Sequence, residues 1–295
     1  MAGDSLKATM PDQGYRGFDY YSYHVFFSGF GLIKTLLFGD YQLQYGQGVT
    51  MCSAGFTGGR GDVSRVRRMR EGIKPHTGAE ENRFFRGVAA TLQWKKLQAT
   101  FFYSANRTDA RLIPDTLDGK EGYAARPDFT GYHRTTGELL KKNTMQVRII
   151  GLRTSISLSR LKVGITTFSS AWEFPLEPGD GLDKTFGLQG AKQHFSGMDY
   201  HYLWSRLSFF GEVSRAGNGS LGQIHGITAM LHPSFTLSVL YRNYERGYQN
   251  PFSNAFANAT TANEMGLYCG AGLALPRGFF IRGYVDVYRF PWLKY

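Results

Sequence analysis

What most constrains this chain is the rhythm of its connections. Short segments alternate apolar and polar residues, the period of a two-faced strand, and are joined in turn by tight turns and longer loops. Twelve such segments are read at 17–28, 32–46, 84–94, 97–106, 144–157, 161–173, 194–204, 207–215, 220–231, 235–245, 263–275 and 279–290. Most have the length of about 9–13 residues that a tilted strand needs to cross a bilayer. Tight turns near 28–31, 95–96, 158–160, 205–206, 232–234 and 276–277 alternate with long connections at 47–83, 107–143, 174–193 and 245–262, and only 216–219 is short among the latter. A soluble sandwich has no reason to gather its long loops at one end. An outer-membrane barrel does so by construction, with short periplasmic turns and long surface loops. The expected fold is all-β, an antiparallel transmembrane β-barrel. Both ends of the strand series fall on the loop side, whereas such barrels usually start and finish in the periplasm, so the expectation is a fragment of a larger barrel. Residues 1–16 are read as a flexible N-terminal segment and 17–295 as barrel.

Composition narrows the field further. Only 19% of the 295 residues are charged, 15% are aromatic and 37 are Gly. No apolar run approaches the ~20 residues of a membrane helix. Cys52 and Cys269 are too few for a disulfide scaffold, and the aromatic content excludes disorder. The first residues lack the basic start and apolar core of a secretory signal, which agrees with a chain whose beginning lies elsewhere. Tyr20, Tyr21, Tyr23, Trp94, Trp172, Tyr200, Tyr202, Trp204 and Trp292 fall near strand ends, where a barrel carries its aromatic girdles.

Several strands set charge opposite their apolar face: Asp40, Arg148, Lys162, Asp199, His201, Glu212, Arg242, Arg282 and Asp286. In a barrel this is the lumen face, where such groups line a channel or pair across strands. A Gly-rich stretch at 46–61 is followed closely by Arg60, Arg65, Arg67, Arg68 and Arg70. This basic loop is a candidate to fold inward, constrict a pore and bind anions or phosphates; the alternative is a solvated surface loop. Asp62 is placed to cap a short helix running to Arg70. Thr135 or Thr136 is placed to cap another at 136–142. Asp199 and His201 share a face, and with Ser208 or Ser214 they are the one arrangement suggesting a hydrolase. The seven His residues are scattered without metal-ligand spacing. No cofactor, metal or catalytic residue is therefore expected. The net charge of +11 suits nucleic acid or anionic lipid equally well and does not discriminate.

GDYQLQYGQG at 39–48, NRFFRG at 82–87, TGYHRT at 130–135, FFGEVSR at 209–215, VLYRNY at 239–244, NAF at 254–256 and FPWLKY at 290–295 together carry a resemblance. The chain resembles the C-terminal barrel region of the helix-hairpin-helix domain-containing outer-membrane proteins of Bacteroidetes. The helix-hairpin-helix repeats that would contact DNA in such proteins have no counterpart here. The resemblance implies an outer-membrane barrel, tied to DNA uptake or handling at the envelope through a domain not in this chain. Its implied partners are outer-membrane lipid and lipopolysaccharide, nucleic acid through that other domain, and the barrel-assembly machinery during insertion. The expectation for function is a porin-like or uptake channel. The alternative is a non-conducting anchor that displays loops, or a missing periplasmic domain, to partners.

Overall fold

The computed structural model describes residues 21–54, 61–78, 83–115, 122–129 and 135–294. The expected flexible segment at 1–16 and Tyr20 lie outside them. Fifteen strands form one sheet: β1 (His24–Phe30), β2 (Ile33–Gln44), β3 (Gly72–Pro75), β4 (Phe85–Trp94), β5 (Leu97–Thr108), β6 (Ala110–Asp115), β7 (Gly122–Pro127), β8 (Met145–Ser157), β9 (Leu161–Leu176), β10 (Gly190–Trp204), β11 (Leu207–Ala216), β12 (Leu221–His232), β13 (Phe235–Tyr244), β14 (Glu264–Ala274) and β15 (Phe280–Arg289). Twelve follow one another in an unbroken antiparallel path, β1-β2-β4-β5-β8-β9-β10-β11-β12-β13-β14-β15. These are the twelve segments the alternation picks out. The short β3, β6 and β7 lie off the path, in regions the sequence reading left as loop. β6 and β7 pair as a hairpin above the wall, and β3 pairs with the outer end of β2. Four-to-six-residue strands leave too short an alternation to be read.

The tight turns work as the sequence suggests. Lys95 and Ser205 take φ of 53° and 52° at two-residue turns, a left-handed conformation that non-Gly residues rarely adopt. At the opposite end, Thr135 caps the helix α1 (Thr136–Leu139), and Glu138 returns a hydrogen bond to complete a capping box. The helix is shorter than the 136–142 expected, and Lys141 beyond it pairs with Asp128 at 3.0 Å.

Strand register separates two faces of opposite character. Phe101 is 54%, Ile150 63%, Ile165 53% and Val285 63% exposed on the outer face. The inner face buries Thr91, Thr100, Ser104, Thr166, Asp199, Glu212, Ser238 and Arg242. An exposed apolar exterior, around an interior where these polar and charged groups lie buried beside aromatics, inverts a water-soluble protein and fits a wall facing lipid. Trp94, Tyr202 and Trp204 are exposed near the tight turns, as an interfacial girdle requires. Trp172 is not a girdle residue. It is buried on the inner face, where its ring stacks on Phe252 at 6.1 Å.

Small residues on the inner face make room for large neighbours. A Cβ on Gly151 or Gly226 would run into the rings of Phe102 or Phe210, and one on Gly266 would lie 2.7 Å from the Arg242 guanidinium carbon. Large side chains therefore lie flat across adjoining glycines, and the inner wall packs densely. The sheet is not closed among the described residues: β1 and β15 do not pair, and nearly all their residues are exposed.

Candidate functional site

The inner face of the wall does not bound an empty lumen. After β2 the chain turns inward, and the described residues of segment 45–76 (45–54 and 61–76) touch β8, β10, β11 and β13. Gly46 and Gly48, with φ of 52° and 84°, make the turn. A Cβ on Gly46 would stand 2.6 Å from the Glu212 carboxylate, so the closeness of chain to wall needs glycine there.

Glu212, on β11, is the pivot. Its carboxylate accepts backbone N–H bonds from Gln47 at 2.6 Å, Val49 at 3.1 Å and Thr50 at 2.7 Å. On the far side of this turn, the Tyr248 hydroxyl donates to the Val49 carbonyl at 2.8 Å, and the Asn250 amide donates to the Thr50 carbonyl at 2.8 Å. The segment thus has its donors taken by the wall and its acceptors by the second inward loop, 245–263. Buried amides and carbonyls need such partners.

A second group of contacts lies beside the first. Arg153 on β8 forks onto Asp199 of β10 at 2.5 and 3.0 Å, donates to Thr166 at 2.8 Å, and reaches Glu71 of the inward segment at 3.3 Å. Lys162 on β9 pairs with Glu71 at 2.5 Å. The Arg153 guanidinium lies 4.8 Å from the centre of the Tyr45 ring. Lower down, the Ser238 hydroxyl donates to the Val63 carbonyl at 2.9 Å. Val49, Met51 and Val66 pack into the same core as Phe168, Phe195 and Phe210 of the wall. The segment is a plug at mid-height.

The second loop has its own anchor. Arg242 on β13 is fully buried and pairs with Glu264 of β14 at 2.6 Å and Asp286 of β15 at 2.8 Å. Glu264 in turn accepts the Asn258 N–H at 2.9 Å, and Phe256 lies under Arg242 with its ring centre 5.3 Å away. Above both loops, Phe84, Phe85, Phe129, Leu188 and Phe252 help to line a cavity of about 410 Å³ at the outer mouth.

The expected lumen residues divide. Lys162, Asp199, His201, Glu212, Arg242, Arg282 and Asp286 share the inner face by register. All of these but His201 and Arg282 enter the two anchors. Asp40 and Arg148 do not face inward. Asp40 shares the outer face with Phe38 and Tyr103; it is buried beneath the chain at Tyr23, whose N–H it accepts at 3.2 Å, and paired with Arg86 at 2.6 Å. Arg148 alternates with the buried Val147 and Ile149 and points outward. At its loop end the inner face of β8 is apolar: Val147 lies beside Trp172, which stacks on Phe252 of the second inward loop, so the rule that polar means lumen fails there. Arg153, six residues from the buried Val147, is the inward cation of that strand.

The basic loop also divides. Arg68 is buried; its N–H donates to the Gln47 side chain at 3.0 Å and its guanidinium to the Asn254 carbonyl. Burial lowers its pKa from the usual arginine range. Arg67 is half-buried against Met69, and burial lowers its pKa as well. Arg65 and Arg70 are exposed. Arg65 pairs with Asp62 at 3.2 Å, and Asp62 caps only the single 3-10 turn Val63–Arg65. Arg60 lies outside the described residues. The segment folds inward as one reading required, and Arg68 serves its internal structure.

Four participants escaped the sequence: Arg153, Glu71, Glu264 and Asn250. Strand parity alone could have found Arg153. The loop residues carry no local pattern. The hydrolase arrangement does not assemble, because both Asp199 oxygens go to Arg153 and none to His201, although the His201 Nε2 lies 2.9 Å from the Ser208 hydroxyl.

No family model and no curated protein matches this chain. Among solved structures, it is similar to OccK8 (OprE) of Pseudomonas aeruginosa, with a TM-score of 0.34 and 10% identity over 70% of this chain and 67% of that one. It is similar to OmpT, an outer membrane protein of Vibrio cholerae, with a TM-score of 0.29 and 9% identity over 86% and 73%. It is also similar to OccK2 (OpdF) of Pseudomonas aeruginosa, with a TM-score of 0.31 and 12% identity over 88% and 73%. At TM-scores this low, the outer-membrane assignment rests on the wall itself: an antiparallel path with an exposed apolar exterior, charged groups buried inside, and loops gathered at one end.

Proposed function

We propose that the protein is an outer-membrane uptake barrel whose passage is closed at mid-height by segment 45–76 and opens when that segment leaves Glu212. The observation that carries this reading is the set of three backbone N–H bonds to one wall carboxylate. A permanently open pore has no use for a loop held across it, and a pure anchor has no use for a cavity above it. The resemblance to DNA-handling envelope proteins supplies no residue in this chain, so the reading stands without it.

Conductance across planar bilayers tests the proposal. The wild type is expected to stay mostly closed, and Glu212→Ala to show larger and longer openings. A wild type as conductive as the variant would mean an open pore. Silence from both would favour the anchor reading.

A further inference from the structure

The outer wall carries a cationic belt whose members pair with no carboxylate among the described residues. By register, Arg107 (β5), Arg148 (β8), Lys192 and His194 (β10) and Arg215 (β11) all face outward at the loop end of neighbouring strands. Arg148 and Lys192 both lie opposite Ala171 of β9. They therefore stand on the two strands flanking β9, about 10 Å apart at two strand spacings, with a methyl group between them. Ser169 continues this low floor beside His194, whose Nδ1 is 3.0 Å from the Ser169 hydroxyl. The result is a groove of about 620 Å³ on the outside of the barrel, lined by Arg148, Lys192, His194 and Ser169, with Tyr103 and Ile150 at its lower lip.

The polar contacts in the belt are few. Arg148 donates only to the Gln146 side chain, at 3.1 Å, and Arg107 to the Asn143 carbonyl at 2.8 Å. Lys192 and Arg215 have no side-chain partner among the described residues. Among the described residues the belt holds one carboxylate, Glu173, which accepts the Gln146 N–H at 2.8 Å. Directly below come the exposed Phe101, Ile150, Ile165 and Met198, the apolar band that faces acyl chains. Elsewhere at this height the cations stand singly: β13 offers Tyr241 and Asn243, β14 offers Met265 and Leu267, β15 the lone Arg289, and Arg86 of β4 is paired with Asp40.

We propose that this groove is a binding site for a phosphorylated lipid of the outer leaflet, its phosphates between Arg148 and Lys192 and its acyl chains on the wall below. Charge complementarity and height select that occupant. Unpaired cations directly above lipid-facing aliphatics suit a ligand that is anionic at its head and apolar in its tail. A soluble anion uses only the upper half of the groove. Lipid A, with phosphates on a sugar headgroup and several acyl chains, has this chemistry. The site rests on the membrane reading of the wall but not on the plug.

The test uses the refolded barrel in detergent, its fold checked by the heat-dependent shift in gel mobility. Native mass spectrometry then counts retained diphosphoryl lipid A and its dephosphorylated counterpart. The wild type is expected to retain the diphosphoryl form. The Arg148→Ala/Lys192→Ala double variant should lose it by about tenfold or more, at roughly 1 kcal/mol per surface cation. Arg148→Lys/Lys192→Arg should keep it, and so should Arg289→Ala, a control cation on the outer face of β15. Equal retention of the dephosphorylated lipid, undiminished binding by the double variant, or displacement by millimolar inorganic phosphate would each overturn the assignment. A wild type without the heat shift would instead remove the membrane reading beneath it.

Discussion

The two inward loops are held by wall charges in opposite ways. At the second loop, Arg242, Glu264 and Asp286 come from three adjacent strands and satisfy one another; the loop adds one N–H and one aromatic face. At the first loop, the Glu212 carboxylate receives all its hydrogen bonds from loop amides. The Arg242 cluster is a brace within the wall and would survive departure of its loop. The Glu212 contact is a latch, and its carboxylate is left bare when the segment moves. A buried charge is tolerated only with partners, so brace and latch should answer differently to mutation.

The sharpest break should come at the brace. Arg242→Ala strands two buried carboxylates and is expected to cost about 3–5 kcal/mol, read by urea unfolding in lipid; a loss below about 1 kcal/mol would remove the distinction. Glu212→Ala should cost less, about 1–3 kcal/mol for unsatisfied amides, yet free the segment. Cys52 reports this. It is buried, its thiol pKa raised by that burial, whereas Cys269 is exposed on the outer face. A water-soluble maleimide should label Cys52 about tenfold faster in Glu212→Ala than in wild type, and no faster in Arg242→Ala if the brace leaves the first loop in place. Glu71→Gln weakens a partly exposed bridge to Lys162 and Arg153 and should cost about 1 kcal/mol, with little change in Cys52 labelling. Arg65→Ala, in an exposed pair with Asp62, should lie within about 0.5 kcal/mol of wild type by the same unfolding measurement.

The wall was legible because it is made of local pattern. Alternation, tight turns and long loops are written over neighbouring residues, and all twelve strands of the path follow from them. The plug was not, because its partners lie far apart in sequence. Arg148 shows the limit: its strand turns apolar inward at the end where Trp172 and Phe252 of the second loop pack, so hydropathy pointed the wrong way. Asp40 shows another, an outward carboxylate hidden by the chain at Tyr23 and by Arg86. Several of the stretches quoted from the sequence fall at the two anchors. Those at 39–48, 209–215, 239–244 and 254–256 hold Gln47, Glu212, Arg242 and Asn254, all on or beside the two anchors.

The distances along the chain have a consequence for the order of assembly. Every rung of the twelve-strand path joins strands consecutive in that path, so the wall can form hairpin by hairpin at little loop-closure entropy. The latch joins residues 165, 163 and 162 positions apart, and the Tyr248 bond to Val49 spans 199. These contacts cannot be gained until β11 and the second loop have been laid down. In a growing or refolding chain the wall therefore forms before the inward segment docks on it. Strand signal should precede protection of Cys52, and for that interval the Glu212 carboxylate stands without its loop amides.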